Sequence, residues 1–223
     1  ANKKIYAGTI APSAIGSAAA PASDYALYLV HDAKEQYPEA ALIGKMLGWR
    51  PGEATWMFKR LDGISPVHFN DQAASVELIN SKHYMTYVSK HGLNVTTGGY
   101  VTSGEYADVV LGVQWMQSSM ELRIFNLLAS SPKVPYDNGG IALIAAQVDA
   151  ALKEATRAGV IRRMGGGMGD YAVSIPNVED IDPADIAGRV LRDITFSATL
   201  AGAVHGAKIR GTVQYASVLG AAA

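Results

Sequence analysis

Three groups of residues in this chain have the types that could do chemistry. The run Gly165-Gly166-Gly167-Met168-Gly169-Asp170 has the backbone freedom of an anion-binding loop. A phosphate loop needs a strand before it, a helix N-terminus after it and a Lys-Ser or Lys-Thr pair, so that amides and an ammonium converge on the anion. Here the alternating segment Tyr171 to Ile175 follows and no lysine does, so the run reads as a flexible connector. Glu179, Asp180, Asp182 and Asp185 fall within seven positions and have the look of a divalent-cation loop. The alternating oxygen ligands and turn glycine of a calcium loop are missing, which favours a solvated, helix-capping cluster.

The five histidines are His31, His68, His83, His91 and His205, and none forms the His-Glu-x-x-His spacing of a zinc helix. His205 sits in a Gly/Ala-rich bend, where a packed or half-exposed ring is expected ahead of a catalytic one. No serine lies in a Gly-x-Ser-x-Gly turn, and Asp24, Asp32, Glu35 and Asp62 show no pairing that spacing can certify. An enzyme is therefore not expected. The rival reading, an α/β enzyme or small-ligand-binding domain with a site near Gly165–Asp170 or His205, stays open at this point.

Composition narrows the classes further. The chain has 223 residues, 49% hydrophobic and 17% charged, enough for one large domain or a core with a small appendage. A formal net charge of -1 supplies no overall field for nucleic acid or an anionic membrane. Both ends are mildly basic and free of acid, with Lys3 and Lys4 at one and Lys208 and Arg210 at the other. Zero cysteines remove disulfides and thiolate metal sites and suit a reducing compartment. No apolar run approaches the roughly 20 residues that span a bilayer, and no signal-peptide core is present, so a soluble protein is expected. No cofactor is implied.

The elements that must position these residues mix strands and helices. Gly8 to Ser23 is, apart from Thr9, Ala, Ser, Gly, Pro and Ile without charge and reads as a loop or linker, with the ordered core starting after it. Tyr25 to His31 is a short apolar strand, and Tyr37 to Trp49 a helix with Ala40, Ile43, Met46 and Leu47 at helical spacing. Thr55 to Arg60 reads as strand-like. Asn70 or Asp71 caps a helix through Asn80, and Tyr84 to Val88 is a strand. Leu93 to Val101 predicts a hairpin whose turn is Gly98-Gly99.

Ser103 opens the longest helix, about seven turns at 3.6 residues each, with Tyr106, Val109, Val113, Met116, Met120, Ile124 and Leu127 as its stripe. A second strong helix runs from Asn138 to Ala158, with Ile141, Ile144, Val148, Leu152 and Ala155 inward and Gly159 as its C-terminal cap. Asp182-Pro183 starts a short helical turn. The fold class is α/β (α+β), a mixed sheet flanked by long helices.

Two strands close the chain. In Ile194 to Leu200, Ile194, Phe196, Ala198 and Leu200 share a face; in the second, Ile209, Val213 and Tyr215 alternate with Lys208, Arg210, Thr212 and Gln214. A terminal strand either completes its own sheet or adds to the edge of another subunit's sheet, because an unpaired edge exposes backbone donors and acceptors. Spacing leaves both possibilities open.

Four segments in order carry a resemblance: Tyr37-Pro38-Glu39-Ala40-Ala41-Leu42-Ile43-Gly44-Lys45-Met46-Leu47, Pro51 to Ile64, Ser130-Ser131-Pro132-Lys133-Val134-Pro135-Tyr136-Asp137-Asn138-Gly139-Gly140-Ile141, and Ala198 to His205. Together the chain from Tyr25 to Tyr215 resembles the C-terminal part of sheath subunits from contractile bacteriophage tails. Members of that family are longer on the N-terminal side, so a fragment, a shortened variant or a subunit lacking an outer domain is expected.

The resemblance implies a structural protein of the phage tail, assembled in the host cytoplasm and located in the virion. It implies stacked hexameric rings in a helical polymer, with the tail tube, baseplate and tail terminator proteins as partners. Terminal arms stitch neighbours together while rigid bodies rotate outward on contraction. It favours the exchanged reading of the last strand, assigned to Ala207, Lys208, Ile209, Arg210, Gly211, Thr212, Val213, Gln214 and Tyr215, with Gly202 and Gly206 as its hinge. The expected division is residues 1–24 as arm or linker, 25–206 as core and 207–223 as C-terminal arm. Nucleic acid and membrane insertion have no place in it.

Overall fold

The computed structural model describes residues 4–17, 21–208 and 210–211. In chain order the elements are β1 (Tyr6–Ile10), β2 (Ala26–Val30), α1 (Pro38–Met46), α2 (Gln72–Ser81), β3 (Met85–Lys90), β4 (Leu93–Thr97), α3 (Ala107–Ser130), α4 (Asn138–Arg157), β5 (Tyr171–Ser174), α5 (Pro183–Gly188) and β6 (Thr195–Ala198). The first four strands form one sheet in the order β1-β2-β3-β4, parallel except for the antiparallel β3–β4 pair. β5 and β6 form a separate antiparallel sheet. The predicted mixed α/β class is what the chain adopts.

Side-chain alternation explains why the larger sheet is covered on both faces. Ala7, Leu27, Leu29, Met85 and Tyr87 point into a cluster with Leu42 and Met46 of α1, while Ile10, Tyr28 and Val30 join Ile79 of α2 and Ile15. α3 and α4 build a separate cluster from Met116, Met120, Val148, Ala151, Leu152 and Ala155, against which Tyr171, Val173, Ile194, Ala198 and Leu200 of the second sheet pack. Leu152 is fully buried, and such a side chain contributes about 1.5–3 kcal/mol. α3 belongs to both halves, since Ala107 at its start lies in the first cluster.

The halves meet where Gly52, Gly112 of α3 and Val160 touch. A Cβ on Gly52 would lie 2.5 Å from the Gly112 Cα and 2.9 Å from Val160 Cγ2. Gly52 also has a φ of 79°, which favours glycine independently.

The caps explain the helix boundaries. Asp71 accepts from the Ala74 N–H at 3.1 Å, Asp137 from Gly140 at 2.8 Å and Asp182 from Ala184 at 2.8 Å. Asp182 thereby bears out the capping role expected of the acidic cluster, and Asp185 pairs with Arg192 at 3.0 Å.

Several local expectations differ from the structure. Gly8 to Ile10, read as the start of a linker, lies in β1, which runs parallel to β2 from Tyr6 opposite Ala26 to Ile10 opposite Val30. A Cβ on Gly8 would approach the Tyr28 ring to 2.8 Å, so the small residue leaves the ring its place on the paired strand. The hairpin turn is His91-Gly92 (φ 51° and 78°), because two positive φ values fit a two-residue turn between Lys90 and its partner Leu93. Gly98 and Gly99 instead turn the chain out of β4 towards α3, where Ala107 N–H donates to Gly99 O at 2.9 Å. α3 therefore begins at Ala107 and not at Ser103, whose N–H is held by Ser23 O at 3.2 Å.

Thr55 to Arg60 forms no strand, yet Phe58 N–H donates to Thr96 O and Thr96 N–H to Lys59 O, both at 2.9 Å, closing the outer edge of β4. On α3 the buried line is Gly112, Met116 and Met120, which turns Val113 outward to 40% exposure.

Candidate assembly site

Of the described residues, those surrounding the exit of the C-terminal segment hold most of the positions singled out as functional. β6 pairs within its own chain, Tyr171 opposite Ala198 through Ser174 opposite Thr195. Ile194, Ala198 and Leu200 pack inward as expected, whereas Phe196 is 43% exposed. The pairing then continues as a zipper. Arg162 N–H donates to Thr199 O at 2.8 Å, Thr199 N–H to Asp170 O at 2.9 Å, and Ala201 N–H to Val160 O at 2.8 Å.

The glycine run beside this zipper is closed by bonds within the loop. Met164 N–H bonds Met168 O at 2.7 Å, Gly167 N–H bonds Met164 O at 3.1 Å and Asp170 N–H bonds Arg162 O at 2.8 Å. Arg162 and Asp170 also pair through their side chains. Hydrogen bonding by Thr199 and then Arg162 holds the Asp170 carboxyl below its ordinary range. Gly169 is wedged, since a Cβ there would lie 2.3 Å from Thr156 Oγ1. The loop is a clasped bend that supports β5.

Beyond Ala201 the described chain has no regular structure. A Cβ on Gly202 or Gly206, the expected hinge, would meet nothing within 4 Å. Ala207, Lys208, Arg210 and Gly211 are exposed. Ile209, Thr212, Val213, Gln214 and Tyr215, the rest of the assigned exchange strand, lie outside the described residues, as does Lys3.

Between Gly202 and Gly206, His205 is seated on the body. Its Nε2 is 2.9 Å from Thr55 Oγ1, and its ring stands edge-on to Tyr106 (centroids 4.9 Å apart) and Phe58 (6.1 Å). Tyr106 stacks on Tyr100 at 4.7 Å, with their hydroxyls 3.3 Å apart. That bond, then burial, pushes the Tyr100 hydroxyl up to about 12. Asp108, on the first turn of α3, is buried, and its Oδ1 has no hydrogen-bond partner among the described residues. Burial raises its carboxyl above the ordinary range against the opposing pull of its own and the Val109 amides, His205 and Lys59. Lys59 is in turn lowered by burial against the field of Asp108.

The packed reading of His205 thus holds, while the residues that receive it went unrecognised. Thr55 is 150 positions away, and nothing in the local pattern around it marks a socket. Among the described residues no three His, Asp or Glu side chains gather as metal ligands, and no helix is long and apolar enough to cross a membrane.

Residues 107–213, from the first residue of α3 onward, match the family model described as the E217 tail sheath protein gp31-like C-terminal domain. No curated protein matches the chain significantly by sequence. Among solved structures it superimposes on a chain of the anti-feeding prophage baseplate, six-fold symmetrised, with a TM-score of 0.62, 13% identity and 95% of this chain covered. The helical sheath of the anti-feeding prophage in the contracted state gives 0.58 at 14% identity over 94% of this chain. The sheath complex of the extracellular contractile injection system PVC, also contracted, gives 0.56 at 14% over 89%. The chain spans 60%, 61% and 58% of those three chains. The resemblance read from the sequence is shown, and the fold is one found in contractile injection system sheaths.

Proposed function

We propose that this chain, whose residues 107–213 match a tail sheath C-terminal domain, is a structural subunit of a contractile tail sheath. In this reading it polymerises as stacked hexameric rings around an inner tail tube and contracts to drive the tube through the host envelope. Its partners are other copies of itself, the tube protein, and the baseplate and tail terminator proteins. It resides in the virion or a related phage-like tail particle after assembly in the host cytoplasm, and no residue is assigned a catalytic role.

The observation that carries the proposal is the state of the second sheet. A two-stranded sheet is marginal alone, and β5–β6 has only these two strands among the described residues. One face rests on the α3–α4 core through Tyr171, Val173 and Ala198, and its outer edges offer backbone donors and acceptors to an incoming strand. The proposed incoming strand is Ala207–Tyr215 of a neighbouring copy, swung about Gly202 and Gly206. Hydrogen bonds made by main chain survive rotation of the body, so a lattice joined this way can change shape without falling apart.

Negative-stain microscopy of concentrated protein should show rings or tubes. A chain ending at Gly206 should remain folded and monomeric. The 223-residue chain staying monomeric at every concentration, or the shortened chain unfolding, defeats the proposal.

A further inference from the structure

The segment between the two hinge glycines is tied down at both ends. Ala201 is bonded to Val160, and His205 is held by Thr55, Phe58 and Tyr106. The socket is built at a cost. Phe58 has a φ of 63°, a region a bulky residue rarely occupies, and it is held there by the backbone bonds from Phe58 and Lys59 to Thr96. Asp108, two positions after Tyr106 on the same stretch of chain, keeps a buried oxygen with no partner among the described residues. A strained aromatic against one imidazole is explained if the ring's seat is itself the purpose.

We infer that His205 is a latch that fixes Gly202 to His205 on the subunit body, so that of the two proposed hinge positions only Gly206 pivots while the ring is seated and Gly202 joins it on release. Anchoring removes four residues from the flexible connection. The nine residues Ala207–Tyr215 can then span at most about 30 Å from Gly206, which bounds the distance to any strand they join. Releasing the latch would lengthen that reach by roughly 13 Å. The seated ring therefore selects the near neighbour.

The latch is a property of the single subunit, so its test needs no polymer and can fail while the sheath reading stands, and the reverse. Amide order parameters measured by NMR on the full chain under non-assembling conditions provide it. Ala203–His205 should show values near the rigid ~0.85 in the parent protein and below about 0.6 in His205→Ala, with Ala207 and Lys208 mobile in both. The His205 ring protons should carry ring-current shifts from Tyr106 and Phe58 in the parent that shrink in Thr55→Val. Thr55→Val, which keeps the shape and removes the hydroxyl, should loosen the same residues partially and serves if His205→Ala fails to fold. Mobile Ala203–His205 in the parent, or order unchanged by either substitution, overturns the inference.

Discussion

Tyr171 of β5 donates its hydroxyl to Asp149 Oδ1 of α4 at 2.8 Å, while Lys153 closes on Asp149 Oδ2 at 2.7 Å. Burial, then the Asp149 bond, pushes the Tyr171 hydroxyl up to about 12; Asp149 is held below its ordinary range chiefly by Lys153. This contact fastens the small sheet to the helical core. Tyr171→Phe keeps the packing and loses the bond, which should cost about 1 kcal/mol and lower the melting temperature by roughly 2–4 °C in thermal denaturation.

Asp108→Asn should stabilise the protein at neutral pH. The carboxyl's folded pKa is raised, first by burial, above an ordinary 3.8. As pH rises from 3.8 towards the folded value, the unfolded chain gives up its proton first, so stability falls through that window and stays lower above it. The asparagine mimics the protonated form and escapes that loss. Melting temperatures of the two proteins should differ at pH 7 and converge below about pH 4.

Gly140→Ala should be badly tolerated although alanine is the better helix former. The added Cβ would lie 1.8 Å from Pro135 O, inside the first turn of α4. Forcing the Pro135 turn outward should cost about 1–3 kcal/mol or more in urea unfolding. Gly159→Ala, which meets nothing within 4 Å but has a φ of 81°, should cost less, so the pair separates crowding from backbone strain.

Lys208→Glu with Arg210→Glu should slow assembly at low ionic strength and do so less as salt is added. Both residues are exposed, and exposed charges are screened within about 10 Å at 0.1 M salt and about 3 Å at 1 M. Light scattering during polymerisation across a salt series checks this. An effect independent of salt would mean that the loss is of packing or strand shape.

Elements whose signals are local were legible in the sequence. The caps Asp71 and Asp182, the 3.6-residue pattern of Ile141, Val148, Leu152 and Ala155, and Gly159 after α4 all act within a few residues of the structure they specify. What could not be read depends on partners far along the chain. β1 is a strand because it pairs in parallel with β2, Tyr6 opposite Ala26 through Ile10 opposite Val30, and the hairpin turn sits at His91-Gly92 because the opposite strand fixes the register. Thr55 to Lys59 has strand-forming residues but is spent on the edge of β4 as irregular backbone. The His205 socket joins residues 150 positions apart, and no periodicity carries that information.

The junction of Gly52, Gly112 and Val160 has a mechanical meaning. Backbone lies against backbone there, with no flexible side chain between Gly52 and Gly112 to re-orient and absorb a displacement. The two halves are keyed like tongue and groove, so sliding one past the other requires lifting α3 off its seat. A thrust applied to the small sheet would therefore reach the large one with little slack, and the molecule would travel as a single block.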